Sequence, residues 1–451
     1  MTTRLGIATA VALTLFVGCG SGRLDPFEKR ASVAVAPRED CSAVDQDVTK
    51  DLKPSALEST STVLITTIAG DFAIDWALYP LPYPDAHVWA TWSKGVIATT
   101  NGKYYSALGD GNSPGDPSGD GNTFLYEYDP ATKLLRAVGD ILSAFGAHVP
   151  GENGYGKIQG QIGEGPCGLL YLHSYWGSAP NKIVYGGNYL GDLLLRYNPW
   201  TKELDSLGVK IPGMGVPSMT TYRKGGLVYA EANTPPKTLT DPDREVVFWV
   251  YDIRGNSVIF QSPRRPRNDR NIAVDADGRA YYAGLGSDLY RYDPATNSEG
   301  SLGLGFPGGG WIRASTRVAK DGTITLVTTE PNEAYHFDPG SPSLTLLATL
   351  PSDAADVDMD PTERVIYFVP NTVDAGSALP LYQLNRGNGT VRKIIDLAEA
   401  IEAAGGSRPR GNYSINVSPD GRSIYVPVNS GANGFGIPIF AVVHLPDSAL
   451  P

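Results

Sequence analysis

The segment LYRYDPATNSEGSLG, Leu289 to Gly303, decides the fold because near-copies of it recur along almost the whole chain. Upstream stand YEYDPATKLLRAVGD from Tyr126, LLRYNPWTKELDSLG from Leu194 and WVYDIRGNSVIFQS from Trp249. Downstream come AYHFDPGSPSLTLLA from Ala334, LYQLNRGNGTVRKII from Leu381 and a shortened VVHLPDSALP from Val442, seven in all. Each copy is an apolar run, a turn and a second apolar run. The residue before the turn is Tyr128, Tyr197, Tyr251, Tyr292, Phe337, Leu384 or Leu445. Asp or Asn usually follows, then Pro, which pre-sets the turn dihedral while the short polar side chain bonds nearby backbone. Two alternating runs around such a turn predict a β-hairpin.

A second repeated element precedes each copy. It reads IATTNGKYYSAL from Ile97, IAVDADGRAYYAGL from Ile272, TRVAKDGTITLVTT from Thr316 and INVSPDGRSIYVPV from Ile415, with looser versions at Gln161, Thr220 and Val357. Asn-Gly and Asp-Gly predict tight two-residue hairpin turns. Two hairpins make four antiparallel strands, which is one propeller blade, and recurrence at roughly fifty residues predicts a repeat array. The expectation is an all-β, seven-bladed β-propeller over residues 61–451. Its last blade runs out at Pro451 after three strands, so an orphan strand near Thr62 to Ile68 is expected to supply the fourth and close the ring. The chain resembles secreted bacterial seven-bladed β-propellers, without the Gly-His and Trp-Asp marks of WD40 repeats.

With 451 residues, 19% charged and 41% hydrophobic, the composition suits a packed core and excludes a disordered chain. Arg4, the apolar run Leu5 to Val17 and then Gly18-Cys19 describe an export signal over residues 1–18. FVGCG resembles the lipobox of bacterial lipoproteins, although Phe16 stands where Leu is usual. That resemblance implies lipidation of Cys19, a tether over residues 19–60 and a place in the bacterial cell envelope, with the membrane met through the lipid alone. The apolar run is too short to span. Cys41 and Cys167 remain, and an even remainder in an oxidising compartment permits one disulfide or two free thiols.

The site is expected on the face where the inner strands begin, because the long insertions fall there. GDGNSPGDPSGDGNT, from Gly109, carries Asp110, Asn112, Asp116 and Asp120, oxygen donors of the kind calcium takes, without EF-hand spacing. In a chain of net charge −11, arginines concentrate in two blade linkers: Arg264, Arg265, Arg267 and Arg270, then Arg408 and Arg410. Lys157 and Arg313 lie near the starts of inner strands. Guanidinium groups on an acidic protein favour an anion such as a carboxylate or sulfate, and net charge disfavours nucleic acid.

His173, Tyr175 and Trp176, with Gln159 and Gln161 nearby, and Trp311 as a further aromatic, supply an imidazole, a phenol and stacking faces. The His, Tyr and Arg set resembles that of propeller-fold polysaccharide lyases in residue types. That resemblance implies His173 or Tyr175 as acid and base, with Lys157, Arg270 and Arg313 neutralising a uronate. Gly163-Glu164-Gly165-Pro166 resembles the start of gluconolactonase-like propellers, which implies Glu164 as a metal ligand. Three readings follow: a monomeric propeller binding or cleaving an anionic saccharide, a non-catalytic propeller for an envelope protein, and a metal-dependent lactonase.

Overall fold

The computed structural model describes residues 57, 60–84, 86, 88–109, 122–145, 156–175, 190–234, 245–266, 270–284, 287–430 and 438–451. The chain divides by contacts into Met1–Glu39, outside the described residues, and Asp40–Pro451, which carries the fold. Seven antiparallel sheets follow one another in chain order as the blades of a β-propeller. The opening segment lies in blade 4, whose strands from the axis outward are Ala273–Val274, Ala280–Ala283, Asp288–Asp293 and Ser298–Gly305. LYRYD is therefore the third strand and SEGSLGLG the outer one.

The turn chemistry of the outer hairpins is as the sequence predicts. Asp129, Asn198, Asp252, Asp293, Asp338 and Asn385 each accept, through Oδ1, the backbone N–H two residues on, at 2.8–3.0 Å. The seven preceding aromatic or leucine residues are all buried between blades. Between blades 3 and 4, for example, Tyr292 meets Tyr229 edge-on with centroids 5.8 Å apart, each ring contributing about 1.5–3 kcal/mol by burial.

The inner hairpins differ from expectation. Asp275 and Arg279 flank a three-residue loop in which Gly278 alone takes positive φ, at 83°, and Ala319 and Thr323 flank another ending at Gly322, at 84°. Such a loop, a turn closed by one left-handed residue, needs glycine only at its last position.

Ring closure is also corrected in detail. The fourth strand of blade 7 is Phe72–Leu78, paired antiparallel with Ile439–His444, and not the stretch near Thr62 to Ile68. FAIDWAL has buried side chains on both faces, Ile74 and Trp76 on one side and Ala77 on the other, as a strand between neighbours requires. ITTIA does not, and Ile68 is 70% exposed. Ile65–Ala69 instead adds a fifth strand outside Phe72–Leu78, while Ser61–Val63 pairs with Leu134–Asp140, the outer strand of blade 1. The segment thus grips both blades that meet at the closure. No helix among the described residues is long and apolar enough to cross a membrane.

Candidate binding site at the channel mouth

Register fixes which end of the ring carries the insertions. Ala90 at the start of the inner strand of blade 1 faces Gly109, after which residues 110–121 follow; Lys157 of blade 2 faces Tyr175, before residues 176–189. Gly215 of blade 3 likewise faces Asn233. Inner strands therefore begin at the inserted face, and the turns of the outer hairpins lie at the other.

Two arginines stand at this mouth without an ion pair among the described residues. Arg270 and Arg313 are half-buried, and neither makes an ion pair or donates a hydrogen bond among the described residues. Arg313 lies against the face of Tyr413, 5.8 Å from the ring centre. Burial pushes its guanidinium down to about 10, and Arg270 adds to that, while Tyr413, Asp353 and Asp356 act in the opposite sense. It is still a cation at neutral pH, held next to a second one. A third cation, Lys157, has its ammonium 4.6 Å from the Trp92 ring centre and 5.9 Å from that of Tyr175.

Below the mouth Lys94 crosses the channel. It belongs to blade 1, yet its Nζ donates to Asn271 Oδ1 of blade 4 at 2.7 Å and sits 3.4 Å from Asp356 Oδ1 of blade 6. Asn271 Nδ2 donates to Ser315 Oγ of blade 5 at 2.7 Å, so four blades share this level. Burial lowers Lys94 and raises Asp356, and their mutual attraction opposes both shifts. Gly95 lets the strand bearing Lys94 close on Tyr104, because a Cβ there would stand 2.1 Å from the phenol oxygen. Beyond this bar a cavity of about 320 Å³ is lined by residues of all seven blades, among them Gln161, Thr220, Asp275, Arg317, Asp358 and Asn416.

The other sequence-predicted residues separate into groups. Gln161 faces the channel and accepts from Thr220 Oγ1 at 2.9 Å, Gln159 is half-buried near it, and Trp311 begins the inner strand of blade 5. Arg410 donates to Val373 O at 3.5 Å, and Arg264 pairs with Glu245 at 3.5 Å on the rim. His173 belongs to the core between blades 2 and 3 instead of a sugar-facing wall. It is 1% exposed and edge-on to Trp249, and burial drives its pKa down to about 3. Strand alternation is the cause: Leu172 turns toward blade 1, so His173 turns toward blade 3. Tyr175 is buried under Lys157.

Glu164 differs from the metal-ligand expectation as well. Its carboxylate accepts from Thr99 N, Thr99 Oγ1 and Thr100 N at 2.8–3.2 Å and pairs with Arg223 at 3.1 Å, tying blades 1, 2 and 3 together away from the mouth. Cys167 is disulfide-bonded, and the other cysteines, Cys19 and Cys41, lie outside the described residues. So do Trp176, Arg267 and the Asp110, Asn112, Asp116, Asp120 set expected for calcium. Sequence reasoning missed Lys94, Asn271, Asp353, Asp356 and Tyr413. The available signal was a lone lysine inside TWSKGV, one of the inner strands.

No family model matches the sequence, and no curated protein matches it. The fold is similar to oligogalacturonate lyase from Vibrio parahaemolyticus, with 11% identity and a TM-score of 0.55 over 87% of this chain and 99% of that one. It is also similar to the WD40 repeats of RRP9, with 10% identity and a TM-score of 0.50 over 86% of this chain and 100% of that one. This chain is a seven-bladed β-propeller. At such identities the likeness carries the fold and no activity.

Proposed function

We propose that this propeller binds an anionic oligosaccharide at the channel mouth, on a protein held at the bacterial envelope by a lipid on Cys19. One observation carries the reading: Arg270 and Arg313 are adjacent, partly desolvated and make no ion pair among the described residues, with Asp353 and Asp356 acting on Arg313 only at a distance, in a chain of net charge −11. Holding two like charges together is unfavourable until an anion arrives, and guanidinium forks suit the paired oxygens of a carboxylate or sulfate. Trp311, half-buried near the same rim, offers a face to a sugar ring, while Trp92 and Tyr175 lie buried beneath Lys157 and hold its ammonium there. The fold likeness to a protein named as an oligogalacturonate lyase is compatible with this ligand class.

Titration with an oligouronate should give saturable binding that weakens as salt rises, with a neutral oligosaccharide giving none. Arg313→Gln should weaken it at least about tenfold, near 1.4 kcal/mol. Equal binding by variant and wild type sinks the reading. β-Elimination would require Tyr175 as the acid or base, so a rise in unsaturated-uronate absorbance that Tyr175→Phe abolishes marks a lyase. Non-reducing peptide mapping should find lipid on Cys19 and Cys167 joined to Cys41. An unmodified Cys19 removes the anchor, and a Cys19–Cys167 link removes both.

A further inference from the structure

Resting on the anion-binding reading, we propose that the mouth is a blind well that takes the end of an acidic glycan chain rather than a stretch within it. The floor is the Lys94 bar, whose ammonium meets blades 4 and 6 from blade 1 at 2.7 and 3.4 Å. A chain entering from the inserted face stops there. The wall is the inner strand of blade 5, Trp311–Ser315, which begins at the rim and reaches floor level at Ser315, the residue bonded to Asn271. Four steps of about 3.3 Å make the well roughly 13 Å deep, with Arg313 half-way down.

That position selects the ligand's shape. A unit inside a polymer has glycosidic links on both sides, and both would have to leave through the same mouth. A terminal unit has one. It reaches Arg313 with its carboxylate while the rest of the chain leaves past Trp311 and Lys157. Ser315 Oγ and the Asn271 amide at the floor are hydroxyl-scale partners for the last ring.

The experiment is calorimetric titration with a uronate trimer and with a long polymer of the same uronate. One protein should bind per chain in both cases, however long the polymer. Modifying one end of the trimer should change affinity at least about tenfold, and modifying the other end should not. Ser315→Leu, which raises the floor, should weaken trimer binding by a similar factor, with the melting temperature measured alongside because the Asn271 amide loses its acceptor. Several proteins per polymer chain, or indifference to both end modifications, overturns end-on binding while leaving the anion site standing. Stoichiometry needs no variant, so it decides even if Ser315→Leu fails to fold. Absence of binding by both probes overturns the parent reading and this one with it.

Discussion

Replacing Lys94 with Met should destabilise the propeller by about 3–5 kcal/mol, because it strands the Asp356 carboxylate in the channel with only backbone N–H donors. Met keeps most of the stem's volume, so packing loss is a minor part. Adding Asp356→Asn should return most of the stability, since the penalty lies in the unpaired charge and not in the absent ion pair. Chemical denaturation of the two single variants and the double variant measures this. If the double variant is as unstable as the sum of the singles, Lys94 acts as a spacer between blades and not as a counter-ion.

The ring closure should show the second large effect. Asp75, fully buried on the closing strand, is bonded by Thr66 at 2.5 Å, by Lys133 of blade 1 at 2.9 Å and by His444 Nε2 at 2.8 Å. It thereby fastens the fifth strand and blade 1 to blade 7. Lys133 and His444 are each about two-fifths exposed, which discounts the charged contacts, and Asp75→Ala should cost about 2–3 kcal/mol.

The pH dependence follows. Burial alone would raise the Asp75 carboxyl, but the bonds from Thr66, His444 and Lys133 outweigh it and hold the pKa below the ordinary 3.8. With the folded pKa depressed, the contribution is complete above the unfolded value and is lost as pH falls through the folded one. Stability of the wild type should therefore fall on acidification below about pH 4, and Asp75→Asn should flatten that part of the curve. An unchanged slope would place the acid sensitivity elsewhere.

Blade count and turn positions were legible because each depends on local pattern. Tyr-Asp-Pro and Asp-Gly act within a few residues, and strand alternation repeats with every copy. Even there, pattern was not enough to choose between Ile65–Ala69 and Phe72–Leu78 as the closing strand. Both are apolar and β-branched or aromatic, and only the latter has neighbours on both sides.

The placement of the candidate site residues was half legible. Arg270 and Arg313 could be placed at one mouth because blade topology assigns every inner strand the same direction. His173 could not be placed, since a one-residue shift in alternation turns a side chain from one neighbouring blade to the other. Glu164 was named by a tetrapeptide whose context differs, and its oxygens are taken by Thr99, Thr100 and Arg223.

What the sequence determined by itself is the repeated unit: two hairpins, seven times, with polar turns and buried aromatics, because these follow from interactions a few residues apart. What only the tertiary structure decided is the channel. Lys94 meets Asn271 and Asp356 across separations of 177 and 262 residues. Nothing in a local pattern encodes which blades face each other across a ring, and it is this crossing that ties blade 1 to blades 4 and 6 across the channel.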